Sequence, residues 1–134
     1  MTALEECLAS LGDSANVLSM SEIRDMREKF WRSIPMTRRG RVDWTKIEKK
    51  IKISSIQGLS SISRNWIKDL DSPAFIMWDE FTLPIVKCSS LRKIFEQIED
   101  VLIVSFDIWV FSFEEKYVIE FYHEGDITIG TIDE

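Results

Sequence analysis

The sequence predicts an α+β domain in which N-terminal helices pack on a mainly antiparallel C-terminal sheet. Residues 1–70 place apolar side chains at helical spacing behind capping residues, whereas residues 101–130 alternate with the period of two that is typical of strands. After residue 71 the predicted order is β-β-α-β-β-β, an arrangement of the α+β class. Because 134 residues suffice for one hydrophobic core, we expect a single domain over 1–134, helical to about residue 70 and sheet-forming over about 71–134.

Two capping boxes predict the first helices. Thr2-Ala3-Leu4-Glu5 opens a short helix with leucines on one face, and Gly12 is placed to end it. Ser19-Met20-Ser21-Glu22 opens a longer amphipathic helix that Pro35 ends. We therefore expect two helices in the first 35 residues.

The segment 38–52 is basic, with seven Lys or Arg residues and two acidic ones. Asp43 can cap a helix that carries Trp44, although the alternation over 51–56 also fits a strand. The segment has the composition of a phosphate-binding patch. Because the whole chain has a net charge of −6, we prefer a solvated face with Trp44 turned to the core.

The remaining elements follow in order along the chain. A third helix is expected after Ser60 or Ser61, then strands over 74–78 and 83–87, with Pro84 confining the second to an edge or a strand start. Ser89 or Ser90 should cap a helix, and a meander of three or four strands follows, with Gly125 in a tight turn. The residues predicted to share one core are Phe30, Trp31, Phe95, Ile103, Ile119 and Phe121.

The sequence contains no pattern that supports catalysis. His123 is the single histidine, so we interpret it as a turn residue in preference to a general base or metal ligand. Cys7 and Cys88 lack ligand spacing and are expected to be buried thiols. No glycine pattern forms a nucleotide cradle, so we expect no enzyme, no cofactor and no small-molecule substrate.

The charge is divided unevenly between the two halves. Residues 1–70 hold 13 basic and 9 acidic residues, a net +4, and residues 71–134 hold 4 and 14, a net −10. An acidic surface with aromatic side chains suits docking onto a basic protein, although an ordinary solvent face has the same composition. The residues predicted for this surface are Asp79, Glu80, Asp107, Trp109, Glu120, Tyr122, Glu124 and Asp126.

Four stretches of the C-terminal half resemble a known family: Trp78-Asp79-Glu80, 83–87, 106–112 and 118–130. With them the chain resembles small bacterial immunity proteins of contact-dependent growth inhibition and related polymorphic toxin systems. The resemblance implies a non-enzymatic inhibitor made in the cytoplasm, whose partner is the C-terminal domain of its cognate toxin. Many such toxins are nucleases with basic clefts, which an acidic inhibitor could cover.

Two other classes of function stay open at this point. A nucleic-acid-binding regulator would use the basic segment 38–52, although we do not expect nucleic acid as the partner. A metal-dependent hydrolase would use Asp79, Asp107, Glu120 and His123. The N-terminus lacks the basic region of a signal peptide, and no apolar run is long enough to cross a bilayer, so we expect a cytoplasmic protein without a membrane partner.

Overall fold

The computed structural model describes residues 1–133 and has, within them, five helices and a seven-stranded antiparallel sheet. The predicted α+β class is confirmed. In chain order the elements are α1 Ala3–Leu11, β1 Ala15–Val17, α2 Met20–Ser33, β2 Lys50–Ile53, α3 Leu59–Ser63, β3 Ala74–Trp78, β4 Val86–Cys88, α4 Leu91–Glu96, α5 Ile98–Leu102, β5 Ile108–Ser112, β6 Tyr117–Phe121 and β7 Ile127–Thr131.

The strand order across the sheet is β1-β4-β3-β5-β6-β7-β2. The five central strands come from the C-terminal part, and β5, β6 and β7 form the predicted meander. Both edge strands come from the first 53 residues, because β1 pairs with β4 and β2 pairs with β7. The N-terminal part is therefore helical with one strand on each edge of the sheet.

Capping explains where the helices begin. The side chains of Thr2 and Ser19 each accept a hydrogen bond from the backbone N–H three residues ahead, and their own backbone N–H groups donate to Glu5 and Glu22, so both predicted capping boxes are confirmed. Ser90 caps α4 by accepting from the N–H of Lys93. At the end of α1, Gly12 has a φ of +60°, which a residue with a Cβ rarely adopts.

The helix predicted from Asp43 is wrong, and the strand alternative is confirmed. Residues 44–46 form a single 3₁₀ turn, and Lys50–Ile53 then pairs with Ile127–Gly130 of β7. The alternation of lysine and isoleucine decides between the two, because it buries Ile53 and leaves both lysines in solvent at a sheet edge. The helix predicted after Ser60 begins instead at Leu59 and ends at Ser63.

The hydrophobic core is divided by the sheet into two layers. One layer lies under α1, α3, α4 and α5 and contains Phe95, Ile119 and Phe121. The other lies under α2 and the segment after it and contains Phe30. The prediction of one shared core is therefore wrong, as is the burial of Trp31 and Ile103, which are 47% and 68% exposed.

Among the helices of residues 1–133, none combines the length and the apolar character that a bilayer crossing requires.

Candidate functional site

The strand register collects acidic residues at one end of the sheet. Trp78 at the end of β3 pairs with Ile108 at the start of β5, and Ile108 pairs with Phe121 at the end of β6. Phe121 in turn pairs with Ile127, the first residue of β7. The residues just beyond these strand ends must therefore be neighbours. We call them the acidic end: Asp79, Glu80, Asp107, Glu124 and Asp126.

Hydrogen bonds fix the loops of the acidic end to one another. Asp79 accepts from the Ser105 hydroxyl and, at 3.4 Å, from the backbone N–H of Asp107. Asp107 accepts from the backbone N–H of His123 at 2.9 Å, and its Oδ1 lies 3.0 Å from His123 Nδ1. Asp79, Glu80 and Glu124 are exposed, while Asp107 and Asp126 are half-buried. The loops that carry the carboxylates are thus ordered, and three of the five carboxylates are exposed to solvent.

Aromatic rings accompany the carboxylates. The guanidinium carbon of Arg41 lies 3.6 Å from the centre of the Tyr122 ring, a cation–π contact. The Tyr122 and His123 ring centres are 4.3 Å apart, and Phe106 meets His123 at 6.1 Å. Phe106 is 73% exposed. We call Phe106, Tyr122 and His123 the aromatic stack; exposed rings of this kind supply anchors in protein interfaces.

Two of the eight predicted surface residues are not on the surface. Glu120 is 1% exposed and Trp109 is 4% exposed, so their predicted exposure is wrong. They lie side by side on β6 and β5, and the indole N–H of Trp109 donates to Glu120 at 3.1 Å. The segment 34–47 covers them, and the sequence offers no signal for that cover because the two contacting stretches are far apart along the chain.

Glu120 attaches this covering segment to the sheet. Its carboxylate accepts hydrogen bonds from Val42 N–H at 2.7 Å, from the Trp44 indole at 3.0 Å and from Arg41 at 3.2 Å, in addition to Trp109. A buried carboxylate is tolerated only with such compensation. The basic segment is thereby divided: Arg41 and Trp44 turn to the sheet, and the four lysines, Lys46, Lys49, Lys50 and Lys52, are left in solvent.

The same segment places arginines beside the acidic end. Arg38 and Arg39 line a pocket of about 300 Å³ whose opposite wall includes Asp79, Glu80 and Asp107. The surface at this end therefore carries carboxylates next to guanidinium groups. At the rim of a contact, this surface can pair with partner side chains of either charge. Carboxylates outnumber guanidinium groups on it.

The geometry does not assemble the metal site of the hydrolase alternative. Within residues 1–133, no three His, Cys, Asp or Glu side chains are close enough to hold a metal ion. Asp107 pairs with His123, but Glu120 is committed to its four donors beneath the covering segment. The Asp107–His123 pair therefore links two loops at the surface, and Glu120 lies in the core, so the three groups do not face a common site.

Sequence reasoning missed three exposed apolar residues at or near this end. Phe81 is 77% exposed, and Ile103 and Phe106 are 68% and 73% exposed. Each lies in a connection between elements, where no helix or strand periodicity assigns an apolar side chain to a buried face. An isolated apolar residue in a connection is the sequence feature that could have indicated their exposure.

An ordered end of a sheet that presents carboxylates and exposed aromatic rings has the composition that protein interfaces use, with aromatic anchors and a polar rim. A comparison with curated proteins finds no match. A family model described as CdiI immunity protein EcoliA0-like matches residues 1–130. The chain belongs to this family, so it is an immunity protein that binds and neutralises a cognate toxin. The family match confirms the resemblance and extends it over the first 70 residues.

Proposed function

We propose that this immunity protein acts in the cytoplasm as a non-catalytic inhibitor whose acidic end covers a basic cleft on the C-terminal domain of its toxin, a nuclease. The observation that carries the proposal is the collection of five carboxylates and an exposed aromatic stack at one end of the sheet. Of the predicted binding residues, Asp79, Glu80, Asp107, Tyr122, Glu124 and Asp126 make direct contact, while Trp109 and Glu120 support them from below.

Electrostatics gives the physical reason for this mode of inhibition. A nuclease binds the phosphate backbone with lysine and arginine side chains, and carboxylates can pair with those same groups. The C-terminal half of the immunity protein carries a net charge of −10, so its field attracts a basic partner over several ångströms. Charge then sets the rate of encounter, and the aromatic stack adds desolvated contact area.

The first test reverses charge in the β6–β7 turn. Glu124→Lys combined with Asp126→Lys should slow association with the toxin domain by about tenfold or more, and the remaining rate should depend less on salt. Both residues lie in the β6–β7 connection, where Glu124 is exposed and Asp126 half-buried, which limits effects on folding. The measurement is association kinetics at two salt concentrations, together with rescue of growth in cells that make the toxin.

The matched control reverses two carboxylates at the other end of the sheet. Glu48 precedes β2 and Glu114 lies in the β5–β6 turn, both exposed and both remote from the acidic end. Glu48→Lys with Glu114→Lys makes the same change in net charge and should alter association far less. Equal slowing by both double variants would mean that only total charge matters, and would rule out a contact at the acidic end.

A second experiment tests whether the immunity protein inhibits the toxin by binding alone, without changing it chemically. Toxin domain separated from the complex under mild denaturant should regain its full activity after refolding, because stoichiometric inhibition leaves its covalent structure intact. Cleaved or modified toxin, observed by intact mass, would contradict inhibition by binding alone.

A further inference from the structure

A mainly apolar groove lies between α2 and the β3–β4 connection. Its volume is about 740 Å³, and its lining also includes the polar side chains of Arg24, Arg27, Glu28 and Thr82. Met20 and Phe81 are 88% and 77% exposed. The apolar residues that line the groove are Met20, Ile23, Trp31, Phe81, Leu83 and Pro84.

The two walls are held in place by one arginine. Met20, Ile23, Arg27 and Trp31 fall on one face of α2 at spacings of three and four residues. From the middle of that face, Arg27 donates to the backbone carbonyls of Phe81 at 3.1 Å and of Leu83 at 3.0 Å. Its guanidinium also lies 4.9 Å from the Phe81 ring centre. The groove is therefore formed before any partner arrives, which lowers the entropy that binding must overcome.

The groove opens into the acidic end. Arg27, Trp31 and Phe81 line both the groove and the 300 Å³ pocket that contains Asp79, Glu80 and Asp107. An apolar surface and a row of carboxylates are thus continuous, with Phe81 directly after Glu80 in the chain. A ligand that fills the groove and continues past Phe81 places its adjoining residues beside these carboxylates and beside Arg38 and Arg39.

We propose that the groove takes an apolar segment of the toxin domain whose flank carries lysine or arginine side chains. The apolar part fills the groove, and the basic flank pairs with Asp79 and Glu80. This inference rests on the proposed function and adds a second contact region to it. Monomeric proteins rarely expose a phenylalanine, a tryptophan and a methionine around one concavity unless a partner covers them.

Charge argues against a second copy of this chain as the occupant. The groove and the acidic end share residues, so two copies joined at the groove would bring together two surfaces on which five carboxylates outnumber Arg38 and Arg39, each on a chain with a net charge of −6. Like charges in such proximity oppose the contact. A basic partner, in contrast, is attracted electrostatically to the same surface.

The test truncates the two most exposed side chains of the groove. Met20→Ala combined with Phe81→Ala should speed dissociation of the toxin complex by about tenfold or more and leave association nearly unchanged, because apolar contacts act mainly after encounter. Ile51→Ala is the control, an exposed apolar side chain on the edge strand β2 across the sheet. It should change neither rate, and urea unfolding should verify that all variants are folded.

The results separate this inference from the proposed function. Unchanged dissociation of the groove variant, with association slowed by the Glu124 and Asp126 reversals, would overturn the groove and leave the acidic end in place. Faster dissociation with no effect of those reversals would support the apolar part of the groove contact and overturn the acidic end. If sedimentation of the free protein showed a dimer that the groove variant abolishes, a second copy would be the occupant and the inference would fall.

Discussion

At the scale of the single residue, Glu120 fixes the position of the covering segment, residues 34–47, on the sheet. Alternation along β6 correctly places it on the face opposite Ile119 and Phe121, but alternation does not tell which face a distant segment covers. The structure covers it with residues 34–47 and provides four hydrogen-bond donors. A carboxylate expected to bind the partner instead holds the segment that carries Arg38 and Arg39.

Replacing this carboxylate by an amide tests that role. Glu120→Gln keeps the shape of the side chain but removes the charge that Arg41 faces and turns an N–H₂ group toward donors. We expect the free energy of unfolding to fall by about 2–3 kcal/mol, because a buried N–H donor loses its acceptor and the half-buried Arg41 charge loses its partner. Urea unfolding measures this, with the exposed Glu114→Gln as control, for which a change within about 0.5 kcal/mol is expected. Equal midpoints for the two variants would show that Glu120 does not anchor the segment.

At the scale of the element, the contact between the covering segment and β7 depends on a glycine. A Cβ built on Gly130 would lie 2.6 Å from Trp44 Cζ3, 3.2 Å from Ile47 Cγ2 and 3.2 Å from the Lys49 carbonyl oxygen. The Trp44 ring therefore rests directly on the backbone of β7. Glycine inside a strand usually marks such a close approach.

Gly130→Ala should accordingly destabilise the protein by about 1–3 kcal/mol, since the added methyl group meets backbone and a large ring that is itself hydrogen-bonded to Glu120. Gly58→Ala is the matched control. Its nearest neighbour would be an Ile62 methyl group at 3.6 Å, and its φ is an ordinary −86°. Thermal or urea unfolding of both variants measures the difference, and a Gly130→Ala protein as stable as the control would place Trp44 elsewhere.

At the scale of the whole molecule, two buried thiols link stability to pH. Cys7 on α1 and Cys88 on β4 are both fully buried. Burial raises the pKa of Cys7 to about 11 and that of Cys88 to about 12. In the unfolded chain both thiols ionise near pH 8.5–9, so above that pH the unfolded state binds fewer protons than the native state and stability must fall as pH rises.

We expect these thiols to remove roughly 1–2 kcal/mol each from the free energy of unfolding between about pH 8 and about pH 10. The loss should continue until the native thiols ionise near pH 11–12. Cys7→Ala with Cys88→Ala should give a shallower decline over the same range, which urea unfolding at both pH values measures. A decline as steep as that of the natural sequence would show that other groups cause it.

Local patterns predicted the parts of this molecule that local contacts determine. The capping boxes at Thr2 and Ser19, the strand over 74–78 and the meander depend on residues near in sequence, and the structure has them where they were expected. The two edge strands and the two-layer core depend on pairing between distant stretches, which one sequence does not reveal. For the same reason the acidic turns of the candidate site were predicted, while the burial of Trp109 and Glu120 was not.

The position of the edge strands also has a consequence for how the protein is made. When the first 70 residues have emerged from the ribosome, β1 and β2 are outside it, yet β1 needs β4 and β2 needs β7 as a partner. Strand β1 can pair once residue 88 has emerged, whereas β2 cannot complete its pairing until residue 130 has, so the second edge of the sheet closes last. Because the acidic end includes Asp126 directly before β7, a chain whose last strand has not yet emerged does not present the complete surface proposed to meet the toxin.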